Sequence, residues 1–287
     1  MAEIKRIPKY HDIYELERSY QSYTNQDTPD GFYDFGWWLP KLGKVVRPPV
    51  PGELVVIIGR TGVGKTAMLQ NIAVSARQRS VFLFELELPG DICFERFAAM
   101  SNKMEQASVE KAYRSEHRLR LGPLDHIYTC TESGLTVQDM EHAIQAAEQD
   151  GNIFDLIIVD YIGLVQSRGA RSRYEKVTQA VEDLKAMAKN LNAVVIAASQ
   201  VHRGTDSGAE LSIYDAKDSG SIENSAQIVL GAWRDDDYEN LVKIRVLKQT
   251  RGPSGAIVET SFDKPRMIMG LRDAEEPEEE VSQAEFP

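Results

Sequence analysis

The chain has 287 residues, of which 42% are hydrophobic and 27% charged, and its formal net charge is −11. This length suits one large domain or two small ones, and the composition excludes collagen-like, coiled-coil and wholly disordered proteins. No apolar run reaches 18 residues, so the sequence predicts no membrane-spanning helix. The first residues contain no apolar signal segment, so we expect a cytoplasmic protein.

The N-terminal segment, residues 1–28, predicts a helical arm. Between His11 and Tyr23, apolar residues recur at helical spacing. A short amphipathic helix is marginal by itself, so we expect it to pack against the body of the chain or a neighbouring subunit. Residues 43–52 contain three prolines and predict an irregular lead-in within the domain that follows, residues 29–270.

From Glu53 onward, β-branched runs alternate with helical stretches, a pattern typical of βαβ units around a mainly parallel sheet, and so of an α/β fold. One helix is predicted over residues 174–191, and another begins at a capping box of Thr136 and Asp139 and runs to about Gln149. The last three strands follow one another closely, which predicts an antiparallel addition to the sheet. The eight predicted strands cover residues 54–58, 80–84, 126–129, 156–160, 193–199, 226–232, 242–248 and 256–262.

The end of the chain, residues 271–287, predicts a disordered tail. It holds seven acidic residues and one arginine, and such a segment repels itself and has little apolar surface to bury. Much of the negative charge is therefore concentrated here. The remainder of the chain is less acidic, which leaves room for a local basic site that binds nucleic acid.

A phosphate-binding loop follows the first predicted strand. Residues 59–66 read G-R-T-G-V-G-K-T, which matches the pattern G-x-x-x-x-G-K-[ST] in full and leads into a helix. Glycines let backbone N–H groups point at phosphate, and the helix N-terminus favours negative charge. We expect Lys65 at the β- and γ-phosphates of ATP and the Thr66 hydroxyl on Mg²⁺. The predicted nucleotide-binding residues are Gly59, Arg60, Thr61, Gly62, Val63, Gly64, Lys65, Thr66 and Ala67.

Acidic residues follow two other predicted strands. Asp160 ends an apolar strand, where P-loop ATPases place the carboxylate that holds Mg²⁺ through water. Glu85 and Glu87 follow the strand over residues 80–84, and either can orient the attacking water. Spacing alone does not choose between them. The sequence therefore predicts a Mg²⁺-dependent ATP hydrolase with two candidates for the catalytic glutamate.

With these residues in place, the chain resembles the ATPase domain of the DnaB-type hexameric replicative helicases, including their phage relatives, over about residues 28–268. The resemblance implies a RecA-like P-loop core. The similar segments, with the family's motif after each, are T-P-D-G-F at 28–32 (T-G-F), F-E-L-E-L-P at 84–89 (S-L-E-M-P), V-D-Y-I-G-L at 159–164 (I-D-Y-L-x-L), I-A-A-S-Q-V-H-R at 196–203 (A-L-S-Q-L-N-R), D-S-G-S-I-E at 218–223 (E-S-G-S-I-E), I-V-L at 228–230 (I-V-L) and W-R-D-D at 233–236 (Y-R-D-D).

The resemblance implies an ATP-driven, ring-forming helicase or translocase that acts on single-stranded DNA as a homo-oligomer, a hexamer, in a bacterial or phage-infected cell. It implies Glu87 as the catalytic acid, Gln200 as the sensor of the γ-phosphate and Arg234 as a residue near the nucleotide. We expect the chain to lack the family's globular N-terminal domain and any loader or primase contact made there. The arm and the acidic tail are the candidate surfaces for replication proteins, and a plain solvated tail is the alternative. A recombinase-type filament and a helicase loader or regulatory ATPase remain as alternatives.

One motif departs from the resembled family. Its K-x-R-x-G pattern reads K-Q-T-R-G at residues 248–252, with Thr250 in the place of the arginine finger that acts on the neighbouring subunit. A turn or bulge at Gly252 can re-aim a side chain at the end of a strand. We therefore expect Lys248 and a displaced finger, Arg251, to reach the neighbour's γ-phosphate. The alternative is that Arg251 is a solvated turn residue and Lys248 acts alone.

The resemblance also places two loops that contact DNA, at residues 166–173 and 203–217. The first is a flexible cationic loop suited to a phosphate backbone, and the second has little positive charge. A solvated basic loop is the alternative, and no base specificity follows from backbone contacts. The predicted DNA-binding residues are Arg168, Arg171, Arg173, Arg203 and Lys217.

Overall fold

A computed structural model describes residues 12–24, 32–201, 210–215, 219–234 and 240–270, and a mixed sheet runs through its centre. The helices are α1 (Ile13–Thr24), α2 (Pro40–Gly43), α3 (Lys65–Ser75), α4 (Gly90–Asn102), α5 (Gln106–Arg114), α6 (Val137–Gln149), α7 (Arg173–Leu191) and α8 (Ser219–Ser225). The strands are β1 (Leu54–Gly59), β2 (Val81–Glu85), β3 (Ile127–Cys130), β4 (Leu156–Asp160), β5 (Val194–Gln200), β6 (Ile228–Trp233), β7 (Leu241–Gln249), β8 (Ile257–Asp263) and β9 (Ile268–Met269).

The strands lie in the order β3-β2-β4-β5-β1-β6-β7-β8-β9. The pairs from β3 to β6 are parallel, and β7, β8 and β9 add antiparallel pairs. The predicted α/β class, the eight strands and the antiparallel addition are therefore confirmed. The ninth strand, β9, was not predicted, because two residues are too few to leave a pattern.

The core lies on both faces of the sheet. Every residue of β1, β2 and β4 is buried, which explains why these strands are continuous apolar runs rather than alternating ones. Leu69 of α3 and Phe97 of α4 belong to the cluster on one face. Ile144 of α6 and Leu184 of α7 belong to the cluster on the other face. The predicted capping box holds α6 at its start, where Thr136 and Asp139 bond to each other's backbone N–H groups.

The register of the parallel strands brings their carboxyl ends to one edge of the sheet. Gly59 at the end of β1 pairs with Gln200 of β5 and with Ala232 of β6. Glu85 at the end of β2 pairs with Asp160 of β4. In open parallel sheets, ligands bind in the crevice outside these ends. The fold therefore assembles the P-loop, Asp160, Gln200 and the candidate glutamates at a position where ligands are expected.

The predicted helix of the N-terminal arm is present as α1. Asp12 and Glu15 cap its start, since the Glu15 N–H donates to Asp12 Oδ1 at 2.7 Å. Four large apolar side chains of this helix, those of Ile13, Tyr14, Leu16 and Tyr20, are more than half exposed. Docking of the arm on a neighbouring subunit stays a prediction, as does the division into arm, domain and tail. The predicted acidic tail, 271–287, lies outside the described residues. Among the residues that the structure describes, no helix has the length and apolar character to cross a bilayer.

Candidate active site

The phosphate-binding loop connects β1 to α3. Gly62 and Gly64 have φ angles of 84° and 106°, in the left-handed region that strains residues with a side chain. A Cβ atom on Gly59 would lie 2.9 Å from the carbonyl oxygen of Ala232. The loop thus depends on glycine for its backbone conformation and its packing. It directs the chain into the N-terminus of α3, where the helix dipole and its N–H groups favour an anion.

Lys65 lies inside this loop and is 8% exposed. Its Nζ donates hydrogen bonds to the carbonyl oxygens of Gly59 at 2.8 Å and Arg60 at 2.9 Å. Burial lowers the pKa of Lys65, and the carboxylates of Asp160 and Glu87 oppose that shift. The loop therefore holds a flexible cationic donor that can exchange carbonyl partners for phosphate oxygens.

Asp160 and Thr66 form the candidate metal centre. Asp160 is 1% exposed, and burial raises its pKa to about 6, while a hydrogen bond from the Thr66 side chain opposes the rise. In the described part of the chain, Oδ2 of Asp160 is buried without a hydrogen-bond partner. A hydroxyl beside an unsatisfied carboxylate oxygen provides the hard ligands that Mg²⁺ prefers. The residues present therefore fit Mg²⁺, which Thr66 would bind directly and Asp160 through water.

The two candidate glutamates lie in different environments. The side chain of Glu87 is exposed and lines the cleft with Lys65, Thr66 and Asp160. Glu85 is fully buried behind the cleft, and burial together with the charge of Asp160 raises its pKa to about 7. An attacking water must contact the catalytic acid directly. Only the position of Glu87 meets that requirement.

Gln200 connects the cleft to the next loop. It ends β5 beside Gly59, lines the cleft, and its side chain hydrogen-bonds to the hydroxyl of Tyr161. Burial raises the pKa of Tyr161, Glu87 adds to the rise, and the cation of Arg173 opposes it. Arg173 is the first residue of α7 and ends the predicted cationic loop. Electrostatic interactions at Tyr161 thus link the phosphate side of the cleft to that loop.

The cleft has a volume of about 490 Å³ and receives residues from several elements. Arg234, which was predicted near the nucleotide, lies in it: Nη2 donates to the Val63 carbonyl at 2.8 Å, and the guanidinium is 5.3 Å from the ring centre of Phe262. Five lining residues were not predicted: Leu88, Arg96, Phe262, Lys264 and Met267.

Two of the unpredicted contributions have identifiable causes. Arg96 lies on α4, close enough to Asp160 and Glu85 for attraction, and within the described residues its buried Nε has no hydrogen-bond partner. It lies one helical turn after the buried Cys93, a spacing that could have placed it on the inner face of α4. Met267 reaches the cleft because Asn71 of α3 donates to its carbonyl at 2.8 Å. No local pattern indicates that contact, which joins residues 196 positions apart.

Lys248 and Arg251 lie at the other edge of the sheet from the cleft, since Gln249 between them pairs with Ile228 at the start of β6. Lys248 Nζ donates to the carbonyls of Glu223 and, at 2.8 Å, Ala226. Arg251 forms a bidentate ion pair with Glu53, at 3.1 Å from Nε and 3.0 Å from Nη2. Arg251 is therefore anchored within its own chain rather than solvated, and its action on a neighbour stays a prediction.

The first predicted DNA loop, residues 166–173, presents three exposed arginines. Gly169 within it has a φ angle of 85°, and the Arg168 guanidinium lies 4.0 Å from Asp139. This contact leaves the Arg168 side chain 79% exposed. DNA binding by Arg168, Arg171 and Arg173 stays a prediction, and the other two predicted DNA-binding residues, Arg203 and Lys217, lie outside the described residues.

Known proteins resemble this chain in fold and in sequence. The solved structure titled "ATPase Domain of G40P" superposes with a TM-score of 0.77 at 23% identity, over 91% of this chain and 99% of its own. A second, "The Structure Of A DnaB-Like Replicative Helicase And Its Interactions With Primase", gives a TM-score of 0.72 at 22% identity, over 91% of this chain and 67% of its own. Both likenesses support the RecA-like fold.

Sequence relatives give the family. Replicative DNA helicase DnaC of Bacillus subtilis (strain 168) is 28% identical over 71% of this chain and 49% of its own length. Replicative DNA helicase DnaB of Buchnera aphidicola subsp. Schizaphis graminum is 28% identical over 79% and 53%. The chain thus spans about half the length of these relatives. The family description "DnaB-like helicase C terminal domain" matches residues 39–267, which hold the P-loop, Asp160 and Gln200, and the chain therefore belongs to this family.

Proposed function

We propose that this chain is the ATP-hydrolysing motor of a replicative DNA helicase, which assembles into a ring and moves along single-stranded DNA. Membership of the DnaB-like family supports this function. The observation that carries it is the cleft in which Lys65, Thr66, Asp160, Glu87 and Gln200 meet at the carboxyl ends of the parallel strands. These side chains supply the phosphate, metal and water contacts that phosphoryl transfer requires.

Each side chain has a distinct task in this reaction. Lys65 and the N–H groups at the start of α3 bind the phosphates of ATP, and Thr66 and Asp160 would hold Mg²⁺. When bound, Mg²⁺ neutralises phosphate charge. Glu87 accepts a proton from the attacking water, which must lie within hydrogen-bond reach of its carboxylate. Gln200, hydrogen-bonded to Tyr161, senses the terminal phosphate and connects it to the loop over residues 166–173.

The positions of Lys248, Arg251 and helix α1 support assembly into a ring. Lys248 and Arg251 lie at the edge of the sheet opposite the P-loop, so they can serve a nucleotide site only if that site belongs to another copy of the chain. The exposed apolar side chains of α1 provide a second surface for a neighbour. We include a homohexamer, replication partners on the arm or tail, and action in the cytoplasm of a bacterial or phage-infected cell as parts of this proposal.

The proposal is tested by ATPase and fork-unwinding assays with two variants. We expect Glu87→Gln to bind ATP normally and to lose hydrolysis by about two orders of magnitude or more, because its carboxylate acts in the transition state. We expect Lys65→Ala to weaken ATP binding, since the lysine contacts the ground-state phosphates. Glu132→Gln, which neutralises an exposed glutamate beyond β3, is the matched control and should retain both activities.

Three results would contradict this function. Normal hydrolysis by Glu87→Gln would remove the catalytic assignment. Failure of the wild-type chain to unwind a fork while it hydrolyses ATP would favour a loader or regulatory ATPase. Helical filaments instead of closed rings with an ATP analogue would favour a recombinase, because an interface that does not close by rotation generates open polymers.

A further inference from the structure

A buried carboxylate lies directly behind the catalytic glutamate and contacts its backbone. We propose that Glu85 is a positioning residue that fixes the turn carrying Glu87 for ATP hydrolysis. This inference rests on the proposed function, in which Glu87 orients the attacking water. It concerns Glu85, which falls on the serine of the resembled S-L-E-M-P motif when that motif is placed on residues 85–89.

The contact is made by one oxygen atom. Oε1 of Glu85 accepts hydrogen bonds from the backbone N–H groups of Glu87 at 3.3 Å and Leu88 at 3.1 Å. Strand β2 ends at Glu85, and after Leu86 residues 87–89 leave the ladder of strand hydrogen bonds before α4 begins. The exposed side chain of Glu87 projects from this irregular turn. The carboxylate of Glu85 therefore replaces, for two N–H groups, the partners that a longer strand would have supplied.

The other side of Glu85 is anchored in the core. The residue is 0% exposed, and Gln70 Nε2 of α3 donates to its Oε2 at 3.4 Å. Its backbone pairs with Asp160 in β4, and the Leu86 N–H donates to the Asp160 carbonyl at 2.9 Å. Glu85 thus ties the Glu87 turn to the P-loop helix and to the strand of the metal ligand. These are the elements relative to which the catalytic carboxylate must be placed.

Burial of the Glu85 carboxylate lowers the stability of the fold, so stability by itself does not explain why this residue is present. Burying an acid next to a second acid costs free energy, because both burial and the like charge disfavour the ionised form. A local feature that opposes stability at an active site is expected where function requires it. Displacement of a catalytic group by about 1 Å can lower the rate about a hundredfold, so holding the turn is a sufficient function for Glu85.

The test compares Glu85→Met with Glu85→Gln in the full chain, by steady-state ATP hydrolysis. Methionine has the length of glutamate but no oxygen, so both N–H groups lose their acceptor. Glutamine keeps one oxygen, which suffices because both bonds go to Oε1. Its new NH₂ group has an acceptor available: within the described residues Gln70 Oε1 is buried without a hydrogen-bond partner, and a flip of that amide would present it.

We expect Glu85→Met to lower kcat about tenfold or more while KM for ATP changes less than about twofold, because the phosphate-binding loop is untouched. We expect Glu85→Gln to stay within about threefold of the wild-type kcat, since it retains the acceptor. Hydrogen exchange at the Glu87 and Leu88 amides should accelerate in Glu85→Met and not in Glu85→Gln. Glu132→Met is the matched control, because it makes the same change on an exposed glutamate at the same edge of the sheet.

Three results would overturn the inference. They are a wild-type kcat in Glu85→Met, equal losses of kcat in Glu85→Met and Glu85→Gln, or a loss of kcat/KM in Glu85→Met that comes from a higher KM. Thermal melting identifies a variant that fails to fold, and Glu85→Ala, which removes the same acceptor, then replaces Glu85→Met. The parallel Glu87→Gln assay separates the two levels of the proposal. If Glu87→Gln hydrolyses ATP normally, the catalytic assignment fails; if it is inactive while Glu85→Met is normal, only the role of Glu85 fails.

Discussion

The ion pair between Arg251 and Glu53 predicts a measurable loss of stability when either residue is replaced. It joins the turn after β7 to the segment before β1 through two bonds of 3.1 and 3.0 Å, with side chains 29% and 13% exposed. Exposed pairs contribute roughly 0–1 kcal/mol. Breaking a fully buried pair costs about 3–5 kcal/mol. The partial burial here lies between these limits, so we expect Arg251→Ala to lower the free energy of unfolding by about 2 kcal/mol.

A double-mutant cycle separates the pair from other contacts of the two residues. Glu53 also accepts a hydrogen bond from the Val50 N–H at 3.1 Å, and Arg251 Nη2 also donates to the Pro48 carbonyl. Urea unfolding of Arg251→Ala, Glu53→Gln and the double variant should give a coupling free energy of about 1–1.5 kcal/mol. A coupling below about 0.3 kcal/mol would refute the reasoning, because the two side chains would then act independently.

The ion pair also sharpens the prediction of a displaced arginine finger. If Arg251 reaches a neighbouring γ-phosphate, it must first leave Glu53, so Glu53→Gln should raise the ATPase rate of the assembled protein. Mixed assemblies of Arg251→Ala and Lys65→Ala subunits should regain activity at interfaces that pair an intact Lys65 site with an intact Arg251. An unchanged ATPase rate in Arg251→Ala would exclude the finger and leave Arg251 with a structural role.

Three further predictions concern pH, DNA and assembly. Burial raises the pKa of Glu85 from 4.5 to about 7, so, as far as this group is concerned, the protein is most stable below pH 4.5, where Glu85 is neutral, and loses stability as pH rises through 7. Without Mg²⁺, the free energy of unfolding should therefore fall by up to about 3 kcal/mol across this range, and the fall should be smaller in Glu85→Gln. If the free energy of unfolding of that variant depended on pH as in the wild type, the titrating group would not be Glu85. Replacing Arg168 and Arg171 by Ala should weaken single-strand binding and reduce its salt dependence, by a slope of roughly 0.7 per lost phosphate contact; an unchanged slope would mean that the loop is only solvated. Deleting residues 1–26 should lower assembly and ATPase activity together in sedimentation and hydrolysis assays, because α1 presents apolar side chains that need a partner, and full-size assemblies without the arm would refute this.

The sheet and the phosphate loop could be predicted from sequence because their signals are local. Buried parallel strands such as β1 and β4 are continuous apolar runs, and the loop between β1 and α3 needs its glycines at fixed positions. The choice between the two glutamates could not be made from spacing. Residues two apart share one face of a strand, but β2 ends at Glu85, and the turn directs Glu87 into the cleft.

Contacts between distant parts of the chain could not be predicted from local patterns. Glu53 and Arg251 are 198 positions apart. The sequence therefore predicted that Arg251 lies at the end of a strand but not that it forms an ion pair with Glu53. The hairpin of β8 and β9 brings Phe262 and Lys264 over the P-loop, and no spacing rule indicates that approach. Arg96 is the exception, because its place on the inner face of α4 could follow from the position of Cys93.

The order in which the cleft residues occur along the chain has a consequence for synthesis. The cleft begins with the P-loop near Thr61 and is completed only by Met267, which Asn71 holds against α3. A ribosome adds about 5–20 residues per second, so roughly 10–40 s separate the two parts. Until residues 228–233 are made, β1 lacks its neighbour β6, and until Met267 is made the cleft lacks a wall. The proposed ATP ligand would therefore stabilise the finished domain more than the nascent one, in which its site is incomplete.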